Sequence, residues 1–560
     1  MQQICANSWC QEPFLVEKED EEFFGKLRRA APELRDIPPP VRCPDCRQQR
    51  RLARRNERAF YRRTCSMCNR DILAMYPADA PFPVYCSACW WGDKWDPLSL
   101  GKTFDPKRPF LEQFAELQRQ VPRLALFGKN NENCEYINHS ENAKNCYLCV
   151  DVVAQDTYYS KWMINCRDCC DCYQLEKSDL CYESQYSVGM NNDIYAFLSD
   201  QSCNLLFCYD CEGCNDCLLC THLRHKRFCI MNEQFTEEEY RKRLTEIDRG
   251  SYKTFSVLLE RYHDLWRTTF HRQHQALVNA TQCSGDLFYN CQNVRHSFGV
   301  IESRDCAYCY DAGHMQDCQD AYEPAFNCEL QYDCHACNRG KRIAACSVCY
   351  DVVGCAYCDM CHNASHLFGC ISLKHKEYCI LNKQYTKEEY LALLPAVIGR
   401  MQSDGTWGEF FPASLLPFAY NETVAQEYYP LDRASAEERG WRWKEEEHAP
   451  PNSKKVISAA QLPDHIKDTP DDVLNWAIRC EATGKLFRIV KQELLYYRKM
   501  GLPLPRLHPD ERYRQRMAFT NSRKLFERTC AKCSKTMETT YAPDRPEIVY
   551  CEDCYLKEVY

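Results

Sequence analysis

Closely spaced cysteine pairs are the first feature of this sequence that indicates a specific chemistry. Four pairs lie within the first hundred residues: Cys5 and Cys10, Cys43 and Cys46, Cys65 and Cys68, Cys86 and Cys89. Two thiolates on one tight turn can bind a tetrahedral zinc ion, and a second such turn completes the site. Spacing alone does not show which pairs share a site. The distance in sequence between the second and third pairs suits a zinc ribbon nearly as well as the distance between the third and fourth.

The C-terminus repeats this module at a constant offset of 465 residues and resolves the pairing. Four cysteines of the copy align with the third and fourth pairs, whereas His508 and Glu511 align with Cys43 and Cys46. The last two pairs of the N-terminal module therefore belong to one site and the first two to another. We predict three Zn²⁺ sites: Cys5, Cys10, Cys43 and Cys46; Cys65, Cys68, Cys86 and Cys89; Cys530, Cys533, Cys551 and Cys554. A fourth, weaker candidate consists of Cys480, His508 and Glu511.

Arginines dominate the segment between the second and third cysteine pairs. Residues 47–63 are rich in good helix formers and lack Gly and Pro, which predicts an arginine-lined helix. Such a helix is typical of proteins that contact the phosphate backbone of RNA or DNA. The candidate nucleic-acid contacts are Arg47, Arg50, Arg51, Arg54, Arg55, Arg58, Arg62, Arg63, Arg512 and Arg516. A solvated helix that pairs with acidic residues elsewhere, or one that docks an acidic protein partner, fits the same composition.

Two cysteine-dense blocks, residues 130–235 and 283–385, occupy the middle of the chain. Their ends match at an offset of 150 residues, so the blocks are copies of each other. In the second block a step of 21 residues aligns Cys328, Cys349 and Cys370. A repeat of this length is too short for helix pairs and suits one coil of a β-solenoid. We therefore predict a mainly β fold with helical insertions, built on a cysteine-rich β-solenoid with a period of about 21 residues.

The repeat cysteines allow three interpretations. Cys214 and Cys217 belong to a run of cysteines spaced by three, which resembles a zinc or iron–sulfur motif. In the second block, however, Ala364 and Leu367 occupy the corresponding positions. Replacement by apolar residues favours buried thiols that fill the interior of the solenoid. Metal clusters, including an iron–sulfur redox centre, and disulfide bonds remain as alternatives.

The remaining segments complete the predicted organisation of the chain. A linking helix follows the N-terminal module, a helical hairpin separates the blocks, and a helix caps the second block. The predicted segments are 1–100 (double zinc ribbon with the arginine-rich helix), 107–122 (linking helix), 130–235 (first block), 236–280 (hairpin), 283–385 (second block), 386–402 (capping helix), 403–470 (irregular aromatic strap and linker) and 471–560 (degenerate C-terminal zinc-ribbon module).

Composition narrows the class of protein. The chain has 560 residues with 43 Cys and a formal net charge of −8. It contains no apolar stretch of about 18 residues that could span a membrane, and its first residues lack the pattern of a secretory signal. We therefore expect a cytoplasmic protein with reduced thiols. No GxSxG, Walker A, HExxH or GxGxxG motif is present, so the sequence does not indicate an enzyme.

The whole pattern resembles zinc-ribbon, cysteine-repeat proteins of candidate-phyla bacteria. The residues that carry this resemblance are Pro38–Arg47, Arg50–Glu57, Val84–Cys86, Tyr378–Tyr390 and Tyr420–Thr423. The resemblance supports the architecture and implies no established activity. From the residues we predict a non-enzymatic zinc-binding scaffold that binds nucleic acid through its zinc-ribbon modules. The alternatives are a protein–protein interaction scaffold and an iron–sulfur redox protein.

Overall fold

The computed structural model describes residues 1–164, 166–320, 328–445, 453 and 455–559. It contains two compact units, the first formed by Met1–Leu126 and Gln275–Glu445, the second by Phe127–His274 and Glu446–Tyr560. Each unit combines one terminal module with one repeat block. The N-terminal module shares a unit with the second block, and the C-terminal module shares one with the first. Residues 446–452 and 454, part of the predicted linker, lie outside the described residues.

The fold is mixed α/β, which corrects the prediction of a mainly β protein. Helices of the first unit are Lys18–Ala30, Pro44–Leu52, Ser87–Trp91, Phe110–Gln120, Lys387–Ser403, Ala425–Tyr428 and Arg433–Glu438. Helices of the second unit are Glu237–Thr245, Tyr252–Thr268, Lys491–Met500, Pro509–Met517 and Glu552–Val559. Among the described helices, none is long and apolar enough to cross a membrane.

The helix that follows each repeat block begins at a capping box. Thr236 accepts a hydrogen bond from the backbone N–H of Glu239, whose side chain bonds back to Thr236, and Thr386 and Glu389 form the same arrangement. These caps satisfy backbone donors that the first helical turn leaves unpaired. The helices after the two blocks therefore begin in the same way.

The arginine-rich segment is not one helix, contrary to the prediction for residues 47–63. The helix ends at Leu52 and a strand follows at Tyr61–Thr64. Between them, the side chain of Asn56 accepts a hydrogen bond from the N–H of Ala59 and donates to the Ala59 carbonyl oxygen, at 2.9 and 2.7 Å. Asparagine competes in this way with helical backbone bonds, and here it stabilises a turn.

Parallel strands form the two repeat blocks. The first block contains Val150–Val153, Lys161–Ile164, Tyr173–Glu176, Gln185–Val188, Ile194–Phe197, Cys203–Tyr209, Asn215–Leu218 and Arg227–Ile230, closed by antiparallel Glu233–Gln234. The second contains Gln292–Arg295, Arg304–Ala307, Gln316–Gln319, Glu329–Tyr332, Lys341–Ala344, Tyr350–Ala356, His362–Phe368 and Glu377–Ile380, closed by Lys383–Gln384. A further sheet of the second block joins Leu277–Val278, Gly285–Tyr289, Ser297–Ile301 and Tyr310–Gly313.

The strand register repeats every 12 residues in most pairs, which corrects the predicted period of about 21. Tyr173 pairs with Gln185, and Lys341 pairs with Val353. A residue in every third position also has a positive φ angle, as in Asp168, Asp171 and Gln174. Both 12 and 21 are multiples of three, so the 21-residue step aligned equivalent positions of the triplet but not neighbouring strands.

Most thiols of the repeat blocks are buried, and many are hydrogen-bonded to backbone carbonyl groups. Cys208 Sγ lies 3.5 Å from the carbonyl oxygens of Leu206 and of Cys217. Ser184 occupies a comparable position, because its hydroxyl donates to the Tyr182 carbonyl oxygen at 3.2 Å. A small side chain with one weak donor therefore fits these narrow interiors and satisfies a backbone acceptor.

Short strands complete the terminal modules. Those in the N-terminal part of the first unit are Gln2–Ile4, Pro13–Leu15, Tyr61–Thr64, Asp71–Ala74, Val84–Tyr85 and Arg123–Leu124. Those in the C-terminal part of the second unit are Lys455–Ser458, Trp476–Arg479, Leu486–Phe487, Phe526–Thr529, Thr536–Thr539 and Ile548–Tyr550, the last paired with His271–Gln273.

Candidate metal centres

The structure gathers twelve cysteines into three groups of four, with all four Sγ atoms of a group within 4.8 Å of one another. We name them site A (Cys5, Cys10, Cys43, Cys46), site B (Cys65, Cys68, Cys86, Cys89) and site C (Cys530, Cys533, Cys551, Cys554). These are the sets assigned from the sequence. Among the described residues, no other group of three or more potential ligands meets the same distance limit.

Site A joins a strand end to a helix start. Cys5 follows the strand Gln2–Ile4, and Cys43 is the N-cap of the helix Pro44–Leu52. The Sγ atoms of Cys10 and Cys43 are 3.7 Å apart, and the backbone N–H of Cys43 donates to Cys5 Sγ at 3.4 Å. Backbone N–H donors directed at sulfur favour the thiolate form that a metal requires.

Sites B and C have the same local geometry. In site B the N–H of Cys86 donates to Cys65 Sγ at 3.3 Å, and in site C the N–H of Cys551 donates to Cys530 Sγ at 3.3 Å. The Sγ atoms of Cys68 and Cys86 are 3.9 Å apart in site B, and those of Cys533 and Cys551 are 3.6 Å apart in site C. The duplication seen in the sequence therefore extends to the geometry of the site.

These distances fit a tetrahedral thiolate site. Two sulfurs that each lie about 2.3 Å from a tetrahedral zinc ion are about 3.8 Å apart. The three Sγ–Sγ separations given above, one in each site, range from 3.6 to 3.9 Å and bracket that value. Each group can thus hold one metal ion with four sulfur ligands and no open position, which is the donor set of a structural zinc site.

An arginine distinguishes the electrostatics of site B. Arg70 Nε lies 3.3 Å from Cys68 Sγ, and Arg70 Nη2 lies 3.6 Å from Cys86 Sγ. The hydrogen bond from Arg70 lowers the pKa of Cys68 to about 6. Lys535 aligns with Arg70 in the C-terminal copy, and among the described residues it makes no hydrogen bond to a sulfur of site C.

The predicted weak site is not assembled. Cys480 keeps the backbone turn of a zinc knuckle, because its N–H donates to the Lys485 carbonyl oxygen at 2.9 Å, as Cys530 does with Lys535 at 2.8 Å. Glu511, however, accepts two hydrogen bonds from Arg514 at 2.7 and 2.9 Å. The described residues bring no three ligands together at Cys480, His508 and Glu511.

Five of the predicted arginines of the first unit are buried, and four of these five pair with aspartates of the second repeat block. Arg47 contacts Asp320 through Nη2 at 3.1 Å, and Arg51 Nη1 lies 2.6 Å from Asp333. Arg54 Nη2 lies 3.1 Å from Asp359. Arg50 also pairs with Asp333, and Arg55 pairs with Glu57. The interpretation of this segment as an exposed phosphate-binding surface is corrected, since these five guanidinium groups are occupied inside the unit.

Burial and charge oppose each other in this cluster. Burial by itself would raise the pKa of Asp333, but the charges of Arg50 and Arg51 lower that pKa below its ordinary value. Burial lowers the pKa of Arg54 to about 10 despite the nearby carboxylate of Asp359. Breaking one partner of such a buried pair leaves an uncompensated charge, so the cluster strongly specifies how module and block pack together.

The second unit repeats this contact. Arg512 Nη1 lies 2.9 Å from Asp171 Oδ2, and Arg516 Nη1 lies 2.8 Å from Asp171 Oδ1 and 3.0 Å from Glu183. Burial raises the pKa of Glu183 to about 7, although Arg516 opposes the shift. Glu183 aligns with Asp333 of the second block at the offset of 150 residues, and Asp171 corresponds to Asp320 at an offset of 149. Arg512 and Arg516 are therefore also internal residues.

Of the predicted nucleic-acid contacts, Arg62 is exposed, whereas Arg58 and Arg63 are partly buried. Arg63 Nη1 donates to the Pro77 carbonyl oxygen at 2.6 Å. The predicted set therefore does not form one continuous basic surface.

Sequence reasoning missed the acidic partners and two further arginines. Arg123 Nη2 lies 2.7 Å from Asp359. Its counterpart in the second unit, Arg272, lies between aromatic rings, 4.0 Å from the Trp266 centroid and 4.1 Å from that of Tyr209. Tyr209 aligns with Asp359 at the offset of 150 residues. The signal that could have revealed the acidic partners is the correspondence of Asp320 with Asp171 between the blocks.

None of the 43 cysteines, including those of the repeats, forms a disulfide bond in this structure. Burial raises the pKa of Cys208 and of Cys358 well above the ordinary value of a thiol. A thiol that resists ionisation is a poor metal ligand and a poor nucleophile. Hydrogen bonds with neighbouring thiols instead lower the pKa of Cys214 to about 3 and that of Cys220 to about 4. A raised pKa, and with it the character of a packing group, therefore describes Cys208 and Cys358 but not every thiol of the repeats.

Comparison with known proteins adds little to this description. No protein-family profile and no curated protein matches the chain. One solved structure, a protein of Desulfovibrio desulfuricans assigned as an acetyltransferase, is similar at 9% identity and a TM-score of 0.09, over 49% of this chain and 69% of that one.

Proposed function

We propose that this protein is a non-enzymatic zinc scaffold in which Cys₄ modules and cysteine-rich β-solenoids are joined by buried arginine–aspartate contacts. The observation that carries the proposal is the presence of three closed tetra-cysteine groups. A site with four sulfur ligands leaves no position for substrate or water and contributes folding energy directly. We expect each bound zinc to fix a module whose strands and helices are too short to fold securely alone.

The solenoid assignment extends the observed pairing. Most neighbouring strands are 12 residues apart, and in the second block the chain alternates between two sheets from Gly285–Tyr289 to Gln316–Gln319. Left-handed residues at every third position supply the corners that such a coil needs. We infer coils of four triplets, with the middle of each coil filled by thiols and small side chains.

The alternative functions have less support. Nucleic-acid binding through the arginine-rich segment would require guanidinium groups that are already paired with Asp320, Asp333 and Asp359. An iron–sulfur role would require clustered sulfurs in the repeats, and the described repeat cysteines form no group of three or more with all sulfurs within 4.8 Å of one another. A protein–protein scaffold is compatible with the same architecture and would be an extension of the present proposal.

Metal analysis of the anaerobically purified full-length protein tests the proposal. We expect three zinc ions per chain and no iron, with the loss of one zinc in the Cys65→Ser/Cys68→Ser variant. As a matched control, Cys214→Ser/Cys217→Ser should retain three. Absence of zinc, a stoichiometry well above three, or iron bound to the repeats would overturn it.

A further inference from the structure

Cys533 differs in accessibility from the other cysteines of the three sites. It is exposed, whereas the remaining eleven are buried or partly buried. Its Sγ lies 3.6 Å from that of Cys551, the shortest of the sulfur–sulfur separations given above. Site C therefore presents one sulfur to solvent with a second sulfur immediately behind it.

Site B provides an internal comparison, because it has the same backbone geometry as site C but a different side chain beside its sulfurs. Cys68 aligns with Cys533, and Arg70 donates hydrogen bonds to both Cys68 and Cys86. In site C the aligned residue is Lys535, and the nearby Lys532 pairs with Glu558 instead of a sulfur. The two sites thus differ mainly in whether a planar cation covers the outer sulfurs.

We propose that site C is a peroxide-sensitive metal site, with Cys533 as the sulfur that is oxidised first. This inference rests on the proposed zinc function and adds regulation to it. Site B holds its metal under the same conditions, because Arg70 protects the sulfurs that correspond to Cys533 and Cys551.

The reaction is a two-electron oxidation by hydrogen peroxide. The Cys533 thiolate attacks one peroxide oxygen, the O–O bond breaks, and protonation of the departing hydroxide gives water and a sulfenic acid. The Cys551 thiolate then attacks the Cys533 sulfur, which forms the S–S bond and, with a second proton, releases a second water. Two thiolates, one peroxide and two protons thus yield one disulfide and two waters. The zinc ion loses two of its four ligands and dissociates.

The difference between the sites follows from the nucleophilicity of sulfur. Thiols bound to a metal are already deprotonated, so the rate does not depend on the fraction of thiolate. It depends on the electron density of sulfur and on access, and nucleophilicity falls as a thiolate is stabilised, with a coefficient near 0.5. Hydrogen bonds from Arg70 stabilise the sulfurs of Cys68 and Cys86 in site B. Cys533 is exposed, and among the described residues no arginine donates a hydrogen bond to its sulfur.

The experiment uses the zinc-loaded full-length protein treated with hydrogen peroxide under limiting conditions. Zinc release is followed with a chromogenic chelator, and the oxidised cysteines are located by differential alkylation and mass spectrometry. We expect one zinc per chain to be released at least about threefold faster than the others. A disulfide between Cys533 and Cys551 should accompany this first release.

Two reciprocal variants identify the cause. Lys535→Arg should slow the fast phase, and Arg70→Lys should create a second fast phase with oxidation at Cys68. Equal release from sites B and C, first oxidation outside site C, or unchanged kinetics in both variants would overturn the inference while leaving the zinc scaffold intact. A protein that contains no zinc before treatment would instead overturn the proposed function itself.

Discussion

Arg512 Nη1 lies 2.9 Å from Asp171 Oδ2 in the second unit, and this contact reproduces the pairing of Arg47 with Asp320 in the first. In each unit the arginine belongs to a helix that begins with proline, Pro44–Leu52 or Pro509–Met517, and the aspartate belongs to a repeat block. A tyrosine ring packs against each guanidinium group. Arg512 Cζ lies 4.7 Å from the ring centroid of Tyr159, and Arg47 Cζ lies 5.1 Å from that of Tyr308. The contact is therefore duplicated together with the elements that form it.

Loss of this arginine should strongly destabilise its own unit. Arg512→Ala removes the ion-pair partner of the buried Glu493 and leaves Asp171 paired with Arg516 alone, so we expect a loss of about 3–5 kcal/mol. Hydrogen exchange followed by mass spectrometry should show faster exchange in the strands around Asp171. Peptides of the first unit serve as the internal reference and should remain protected.

The control for this variant is Arg514→Ala. Arg514 pairs with Glu511 on the same helix, and 75% of its side chain is exposed. Removal of such a pair should change stability by less than about 1 kcal/mol. Equal effects of the two variants would contradict a structural role for the buried pair.

Asp193 should make the stability of the second unit depend on pH. It is fully buried, its Oδ1 accepts a hydrogen bond from the Leu205 N–H at 2.7 Å, and its Oδ2 has no partner among the described residues. Burial raises the pKa of Asp193 well above that of an ordinary carboxyl group. The protonated form is therefore the one that folding favours.

The sign of the effect follows from this raised pKa. The contribution of protonated Asp193 to stability is complete below the pKa of an unfolded-state Asp, about 3.9. This contribution is lost as the pH rises toward the higher pKa of Asp193 in the folded protein. The free energy of unfolding of Asp193→Asn, relative to that of the original protein, should thus rise by at least about 1 kcal/mol as the pH increases from about 4 to about 8. Parallel denaturant titrations of both proteins measure this difference, and a gap that does not change with pH would refute it.

Two interior thiols should be replaceable by the residues of the other block. Cys214→Ala/Cys217→Leu introduces the pair found at Ala364 and Leu367, in which the smaller Ala offsets part of the volume that Leu adds. We expect a change of less than about 1.5 kcal/mol in the free energy of unfolding, and an unchanged zinc content. The single variant Cys217→Leu adds volume without compensation and should cost more, about 1–3 kcal/mol. A loss of bound metal from the double variant would mean that these thiols are ligands.

Cys480→Ser should leave the metal content unchanged. Glu511, which aligns with the site A ligand Cys46, pairs with Arg514 instead. The same substitution at Cys530, which lies in a complete site, should remove one zinc ion or weaken its binding severely. Metal analysis of the two variants side by side checks this contrast, and an equal loss from both would restore the fourth site.

Sequence comparison within the chain was sufficient to define the three cysteine groups. Zinc ligands lie on tight local turns, so their spacing is preserved in the sequence, and the C-terminal copy resolved which turns belong together. The capping boxes at Thr236 and Thr386 were equally local. The distance in sequence between neighbouring strands was harder to predict, because a pattern of triplets makes many steps divisible by three look periodic. Strand pairing, for example between Tyr173 and Gln185, distinguishes 12 from 21.

The sequence by itself determined the metal-ligating turns, the duplication of modules and blocks, and the burial of thiols that the other copy replaces with apolar residues. Only the tertiary structure decided what the arginines do and which block each module joins. Arg47 and Asp320 are 273 residues apart in the chain, and their pairing depends on shape and charge that no local spacing records. A run of arginines has the same composition whether it faces phosphate or a row of carboxylates, and burial beside Asp320 and Asp333 is the physical fact that separates the two.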